Sequence, residues 1–283
     1  MKRIIYFIGA LGLILGLQSC FQDFDEPNFN YPASKPGPTM DKFYAEKIFL
    51  PFDNETVEDE GHYQFVTNSF GEFTFVDGVK EKAYKGADDA YITLSIHPDI
   101  KEEMGDTLAQ MGNLAFAGWF NSKKNSGATG IVSVANKKTF WGNFDIFLEN
   151  SADATEAFFK IHMLNYRTGN QAEAWVEVKI PNFFTEEWQH LAVSYDGKRS
   201  TMTIYHNGEV VEEKLIADYG ELHFKDLGDI VIGALQFQTV PSQTEGADKQ
   251  DWAKNYTGLL DEVHLYNQPL SAKQVKALYQ DKK

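Results

Sequence analysis

Few residues in this chain have the types and spacing that chemistry needs. Asp261-Glu262 stands inside Gly258-Leu259-Leu260-Asp261-Glu262-Val263-His264-Leu265-Tyr266. The alternation there is that of a strand between two environments. A carboxylate in such an apolar strand needs a partner: a cation, or several backbone N–H groups. Gly-x-Ser-x-Gly and His-Glu-x-x-His motifs are absent, and His162, His190 and His264 share no spacing of a ligand set. Aromatics outside any core pattern are candidates to stack on a ligand. Trp252 is one, in the polar loop from Gln243 to Tyr256; Trp141 and the pair Tyr166-Arg167 stand at strand–loop junctions. Trp119, Trp175 and Trp188 fall within strand patterns and read as core.

The N-terminus carries an address. Lys2-Arg3, the apolar run Ile4–Leu17, and then Gln18-Ser19-Cys20 have the form of a lipoprotein signal, too short and too N-terminal for a stable span. Cys20, the only cysteine, is the expected lipidation site. Acyl chains contribute about 0.8 kcal/mol per buried CH₂, so two or three of them anchor firmly. The acidic stretch Asp23-Phe24-Asp25-Glu26 behind Cys20 resembles the export signal of lipoproteins facing outward on the outer membrane of some Gram-negative bacteria. Pro27, Pro32, Pro36 and Pro38 mark an extended tether. The organisation expected is therefore a signal peptide over 1–19, a tether over 20–42 and one domain over 43–283.

Net charge is −15; without residues 1–19, 24 basic face 41 acidic residues, a net −17. This excess disfavours nucleic acid and anionic membrane surfaces as partners and suits divalent cations and neutral or basic ligands. With no second cysteine the domain has no disulfide, and about 240 residues suffice for a stable core without one.

Short alternating runs such as Leu114–Phe120, Ile131–Ala135, Phe144–Leu148 and Ala174–Val178 predict roughly a dozen strands. Asp196-Gly197 and Asn207-Gly208 supply hairpin turns. Helical patterns are confined to Asp99–Met111 and the last ten residues, where Ser271 is the expected N-cap. The fold class is all-β, a two-sheet antiparallel sandwich or jelly roll with a short C-terminal helix.

These pieces resemble one family. Trp188-Gln189-His190-Leu191-Ala192-Val193-Ser194-Tyr195-Asp196-Gly197 is similar to the "W-x-H-[VL]-A-x-[ST]-x-D-G" hairpin of laminin G-like domains. Ile204-Tyr205-His206-Asn207-Gly208 looks like their strand-turn, Leu114–Phe120 their tryptophan strand, and Leu50-Pro51-Phe52-Asp53-Asn54 their opening. Gly258–Asn267 with Pro269-Leu270-Ser271 is similar to the "G-x-I-D-E-V-R-I-Y-N-R-A-L-S" ending. The resemblance spans residues 48–271 and implies the concanavalin A-like jelly roll. It also implies one structural Ca²⁺ between the opening loop and the final strand, with Asp53 and Asp261 as its carboxylates beside backbone carbonyls. The alternative for Asp261 is a set of backbone N–H groups or a lysine.

The glucanases of that superfamily carry E-x-D-x-E strands whose outer carboxylates act as acid and nucleophile. Glu173–Glu177 and Asp145–Glu149 have the i,i+4 spacing without the central carboxylate, so both pairs read as solvated outer-face residues. Fold alone does not fix function. The expectation is a non-catalytic, outer-membrane surface lipoprotein that binds extracellular glycans or glycoconjugates for nutrient capture. The alternative is an accessory subunit of a TonB-dependent importer, acting through protein–protein contacts, with a hydrolase as the third possibility.

Overall fold

The computed structural model describes residues 37–282; the signal, Cys20 and most of the tether lie outside the described residues. Among the described residues sixteen strands follow one another: β1 (Glu46–Leu50), β2 (Val66–Phe70), β3 (Thr74–Asp77), β4 (Lys82–Lys85), β5 (Tyr91–Ser95), β6 (Leu114–Asn121), β7 (Ala128–Asn136), β8 (Phe144–Glu149), β9 (Ala157–Asn165), β10 (Ala172–Ile180), β11 (Gln189–Asp196), β12 (Thr201–His206), β13 (Glu209–Leu215), β14 (Leu227–Ile232), β15 (Ala253–Lys254) and β16 (Leu259–Tyr266). Helix α1 (Lys101–Ala109) precedes β6 and helix α2 (Ala272–Gln280) follows β16.

Two eight-stranded sheets result. One runs β13-β12-β11-β6-β16-β4-β3 with β1 on β16, the other β10-β9-β8-β7-β14-β5-β2 with β15 on β7. The three strands that the sequence pattern missed are β2, β4 and β15. β2 is an edge strand with largely exposed residues, and β15 is two residues long, so neither shows alternation. The Asp196-Gly197 hairpin joins β11 to β12 in the expected register, Asp196 opposite Thr201.

Alternation decides which side chains enter the core. In β10 Ala174, Val176, Val178 and Ile180 point between the sheets, while Glu173, Trp175, Glu177 and Lys179 point outward. Phe159, Ile161 and Met163 of β9, and Phe144, Ile146 and Leu148 of β8, continue that inner layer. Each such side chain contributes about 1.5–3 kcal/mol by leaving water. Trp175 is thus not core; it is 39% exposed on the outer face. Trp119 is buried as expected, and Trp188 is part-buried just before β11 begins.

The closing strand departs from strict alternation. Leu260, Val263 and Leu265 all enter the core although their numbers differ in parity. The pairing of β16 with β6 shifts between Asp261 and His264, a β-bulge, and Glu262 there has φ +48°. A non-glycine residue in the left-handed region costs roughly 1–2 kcal/mol, which the surrounding pairing has to offset. β1 pairs antiparallel with β16, Phe49 opposite His264, so the two ends of the domain lie side by side. Ser271 caps α2 with a capping box through Gln274, and Leu270 and Val275 pack on Ala115, Ala117 and Ala192 of the sheet below. Among the described residues, no helix is long and apolar enough to cross a membrane.

Candidate functional site

The outer face of β7–β10 holds a row of chemically active side chains. Ser133, Asp145, His162 and Trp175 are successive cross-strand neighbours, and Glu173 stands two residues from Trp175 on the same face of β10. The Ser133 hydroxyl donates to Asp145 Oδ1 at 2.5 Å, and the Gly142 N–H donates to Oδ2 at 2.8 Å. His162 Nδ1 is 3.0 Å from Asp145 Oδ2, and its Nε2 is 3.1 Å from Glu173 Oε1. The Trp175 indole N–H donates to the same Glu173 oxygen at 3.1 Å. With both carboxylates ionised, each nitrogen of His162 has to donate. Ser133, Asp145 and His162 are completely buried, whereas the Glu173 side chain keeps 45% of its surface open. Glu149 and Glu177, the outer members of the i,i+4 pairs, share Lys160 at 3.8 and 3.4 Å.

Aromatic rings surround this row. Trp141, from the β7–β8 loop, has its ring 5.1 Å from Trp175 and 6.1 Å from Trp252, and stacks on Phe147 at 5.3 Å. Phe140 and Phe237 fill in beneath, 4.2 Å apart and stacked. Trp252 is 45% exposed. The two tryptophans singled out in the sequence therefore meet, and Trp175 joins them. Tyr166 and Arg167 are not in this group. Arg167 donates to the carbonyls of Asp218 and Tyr219, and the Tyr166 hydroxyl donates to Gln171 and receives from Asn136 at the base of the loop that carries Trp141.

Two buried glutamines hold the loops in place. Gln236 Nε2 lies 3.0, 2.8 and 3.1 Å from the carbonyls of Asn136, Thr139 and Phe140, and its Oε1 receives the Asn136 N–H at 2.7 Å. Gln238 Nε2 donates to the Ala253 carbonyl at 2.8 Å, and its Oε1 receives the Gln250 N–H at 2.7 Å, fixing the segment of Trp252. Buried amides bonded at both ends immobilise what they touch. Gly130 lets the 234–237 segment lie on β7: a Cβ there would stand 2.3 Å from both Ala234 C and Leu235 N. Gly130→Ala is expected to push this segment off the sheet and to cost about 1–3 kcal/mol. A lower melting temperature with altered tryptophan fluorescence would record it, and unchanged spectra would contradict it.

Beside the β1–β16 pairing, Asp261 Oδ2 receives the N–H groups of Val79 and Lys80 at 2.6 and 3.1 Å, and Asp53 Oδ1 receives that of Lys82 at 3.3 Å. Both aspartates thus grip the Gly78–Lys82 turn. Asp261 Oδ1 is buried with no hydrogen-bond partner among the described residues. Burial pushes the Asp261 carboxyl up to about 7; the Lys80 and Val79 amides oppose this and the Glu262 charge adds to it. A Cβ on Gly78 would stand 2.5 Å from both Asp261 Oδ2 and the Lys80 carbonyl oxygen, so the turn brings a carbonyl beside the carboxylate. Carboxylate and carbonyl oxygens are the donor types a hard cation takes, and Asp261 Oδ1 has no N–H partner here; no group of three His, Cys, Asp or Glu side chains able to hold a metal occurs among the described residues.

A family model described as "Concanavalin A-like lectin/glucanases superfamily", of the laminin G type, matches residues 85–276. The chain belongs to this laminin G-like family. No curated protein matches it by sequence. Among solved structures, the laminin G-like sandwich is similar to the serotype C1 botulinum neurotoxin binding domain, with 14% identity and a TM-score of 0.59 over 84% of this chain and 52% of that one. A structure described as "Binding domain of Botulinum Neurotoxin DC in complex with SialylT" matches with 11% identity and a TM-score of 0.58, covering 83% and 51%. A third, described as "Cell entry of botulinum neurotoxin type C is dependent upon interaction with two ganglioside molecules", has 12% identity and a TM-score of 0.59, covering 83% and 50%. The chain spans about half the length of these proteins, and at such identity the likeness shows the fold.

Proposed function

We propose that the protein binds an extracellular glycan or glycoconjugate, without cleaving it, on the outer face of β8–β10. The observation that carries this reading is the trio Trp141, Trp175 and Trp252, two of them about half exposed, with the loops of Trp141 and Trp252 held by buried Gln236 and Gln238 and Trp175 held by Glu173. Rigid aromatic surface beside a fixed polar group is what sugar faces and hydroxyls require. Glycoside hydrolysis normally needs two carboxylates flanking the scissile bond. Here Asp145 is enclosed by three donors and only Glu173 reaches the surface, which favours binding over cleavage. Structural neighbours described with SialylT and with ganglioside molecules support the same class of ligand. Screening the protein on a glycan array tests the reading: binding that Trp252→Ala weakens by about 30-fold supports it, and binding unchanged by this substitution places the ligand elsewhere.

In this reading, acylated Cys20 tethers the domain to the outer membrane and the tether carries it outward to capture nutrients. Asp53 and Asp261 hold a structural Ca²⁺ that fastens the chain ends. A second reading, docking onto a TonB-dependent importer, draws on β13. This sheet-edge strand exposes Val210, Val211 and Leu215, an arrangement open to a partner strand. Co-purification of a transporter that Val211→Lys disrupts supports docking, and recovery of the domain alone from solubilised membranes speaks against it.

A further inference from the structure

Resting on the glycan reading of this face, we propose that its ligand presents a positively charged group, a protonated amine or quaternary ammonium on the saccharide, between Trp175 and Glu173. The rings do not form the flat platform that stacking on neutral sugar faces would favour. Trp141 stands at 86° to Trp175 and at 50° to Trp252, so the tryptophans make angled walls. Angled indoles around a carboxylate are the arrangement that attracts a compact cation through ring quadrupoles and charge together. Trp175 is fixed for this role by its N–H bond to Glu173 and by its edge contacts with Trp141 and Phe147.

Charge points the same way. Two carboxylates, Asp145 and Glu173, face a single imidazole, His162, at 3.0 and 3.1 Å. His162 already bridges the two carboxylates, and Lys160 of β9 is shared by Glu149 and Glu177. Lys179 is paired with Glu156 at 3.3 Å. Both interactions of Glu173 fall on Oε1, and its side chain remains 45% exposed. A cation arriving there meets an accessible carboxylate whose neighbouring bases are engaged, on a protein of net charge −15.

The test compares three hexasaccharides of one β-1,4 backbone, made of glucosamine, N-acetylglucosamine or glucose, by calorimetry with the whole protein at pH 6. The glucosamine hexamer is expected to bind about tenfold more tightly than either neutral one. Glu173→Gln is expected to cut the affinity for the amine form by about tenfold, and that for the glucose form by much less. Tetramethylammonium chloride, titrated against sodium chloride at equal ionic strength, is expected to shift the Trp175 indole signal saturably. Equal binding of all three hexamers, or preference for a neutral one, overturns the charge inference while the glycan reading stands. No tetramethylammonium shift overturns the inference whatever the hexamers do. Failure of the whole glycan array removes the reading beneath it.

Discussion

Replacing Trp175 and Trp252 together by alanine is expected to abolish measurable glycan binding while leaving the domain folded. Large aromatic anchors at binding surfaces cost at least about 2 kcal/mol each when truncated, about 30-fold in affinity per residue. The two rings are 39% and 45% exposed and lie outside the inter-sheet core, so folding depends little on them. Melting temperature is expected to move by only a few degrees, while affinity for an array-identified glycan falls by two orders of magnitude or more. Trp119→Ala is the contrasting change: that side chain is buried against Tyr279 and His190, and its loss is expected to cost about 3–5 kcal/mol. A double variant that binds normally would remove the tryptophan face from the account.

Asp261→Ala is expected to destabilise the protein by about 3 kcal/mol, because the N–H groups of Val79 and Lys80 lose their acceptor in a part-buried turn. In a domain of this size that is roughly 6–12 °C in melting temperature. Asp261→Asn keeps an acceptor oxygen and is expected to cost far less. The pH dependence has a definite sign. Burial raises this carboxyl from 3.8 to about 7, so it favours folding below pH 4 and loses that contribution as pH rises through 7. Without Ca²⁺ the melting temperature is expected to decline across this interval. Since a cation binds the ionised form, stabilisation by millimolar Ca²⁺ is expected to grow over the same range and to vanish in Asp261→Asn. A melting temperature indifferent to Ca²⁺ at pH 8 would leave the chain ends fastened by amide donors alone.

The architecture was legible because hairpin signals and family-like motifs recur in order along the chain. Asp196-Gly197 sets one register, Ser271 caps the terminal helix, and the strand holding Asp261 closes on β1. The bulge at Glu262 was not legible, since a left-handed glutamate leaves no mark in an alternating pattern. Trp175 had a signal that strand membership alone obscured. It shares parity with Glu173, Glu177 and Lys179, which places it outside, whereas Ala174, Val176 and Val178 form the inner set. The row from Ser133 to Glu173 needed the registers of four strands. Gln236 and Gln238 act on loops up to a hundred residues away, beyond the reach of any local pattern.

The five tryptophans of this chain offer the most direct test of where the ligand sits. In a ¹⁵N-labelled protein titrated with an array-identified glycan, each indole N–H reports its own surroundings. The signals of Trp175 and Trp252, and through contact that of Trp141, are expected to shift together and saturate, while those of Trp119 and Trp188 stay in place. Shifts at Trp119 or Trp188, with Trp175 and Trp252 unmoved, would contradict a binding face on β8–β10.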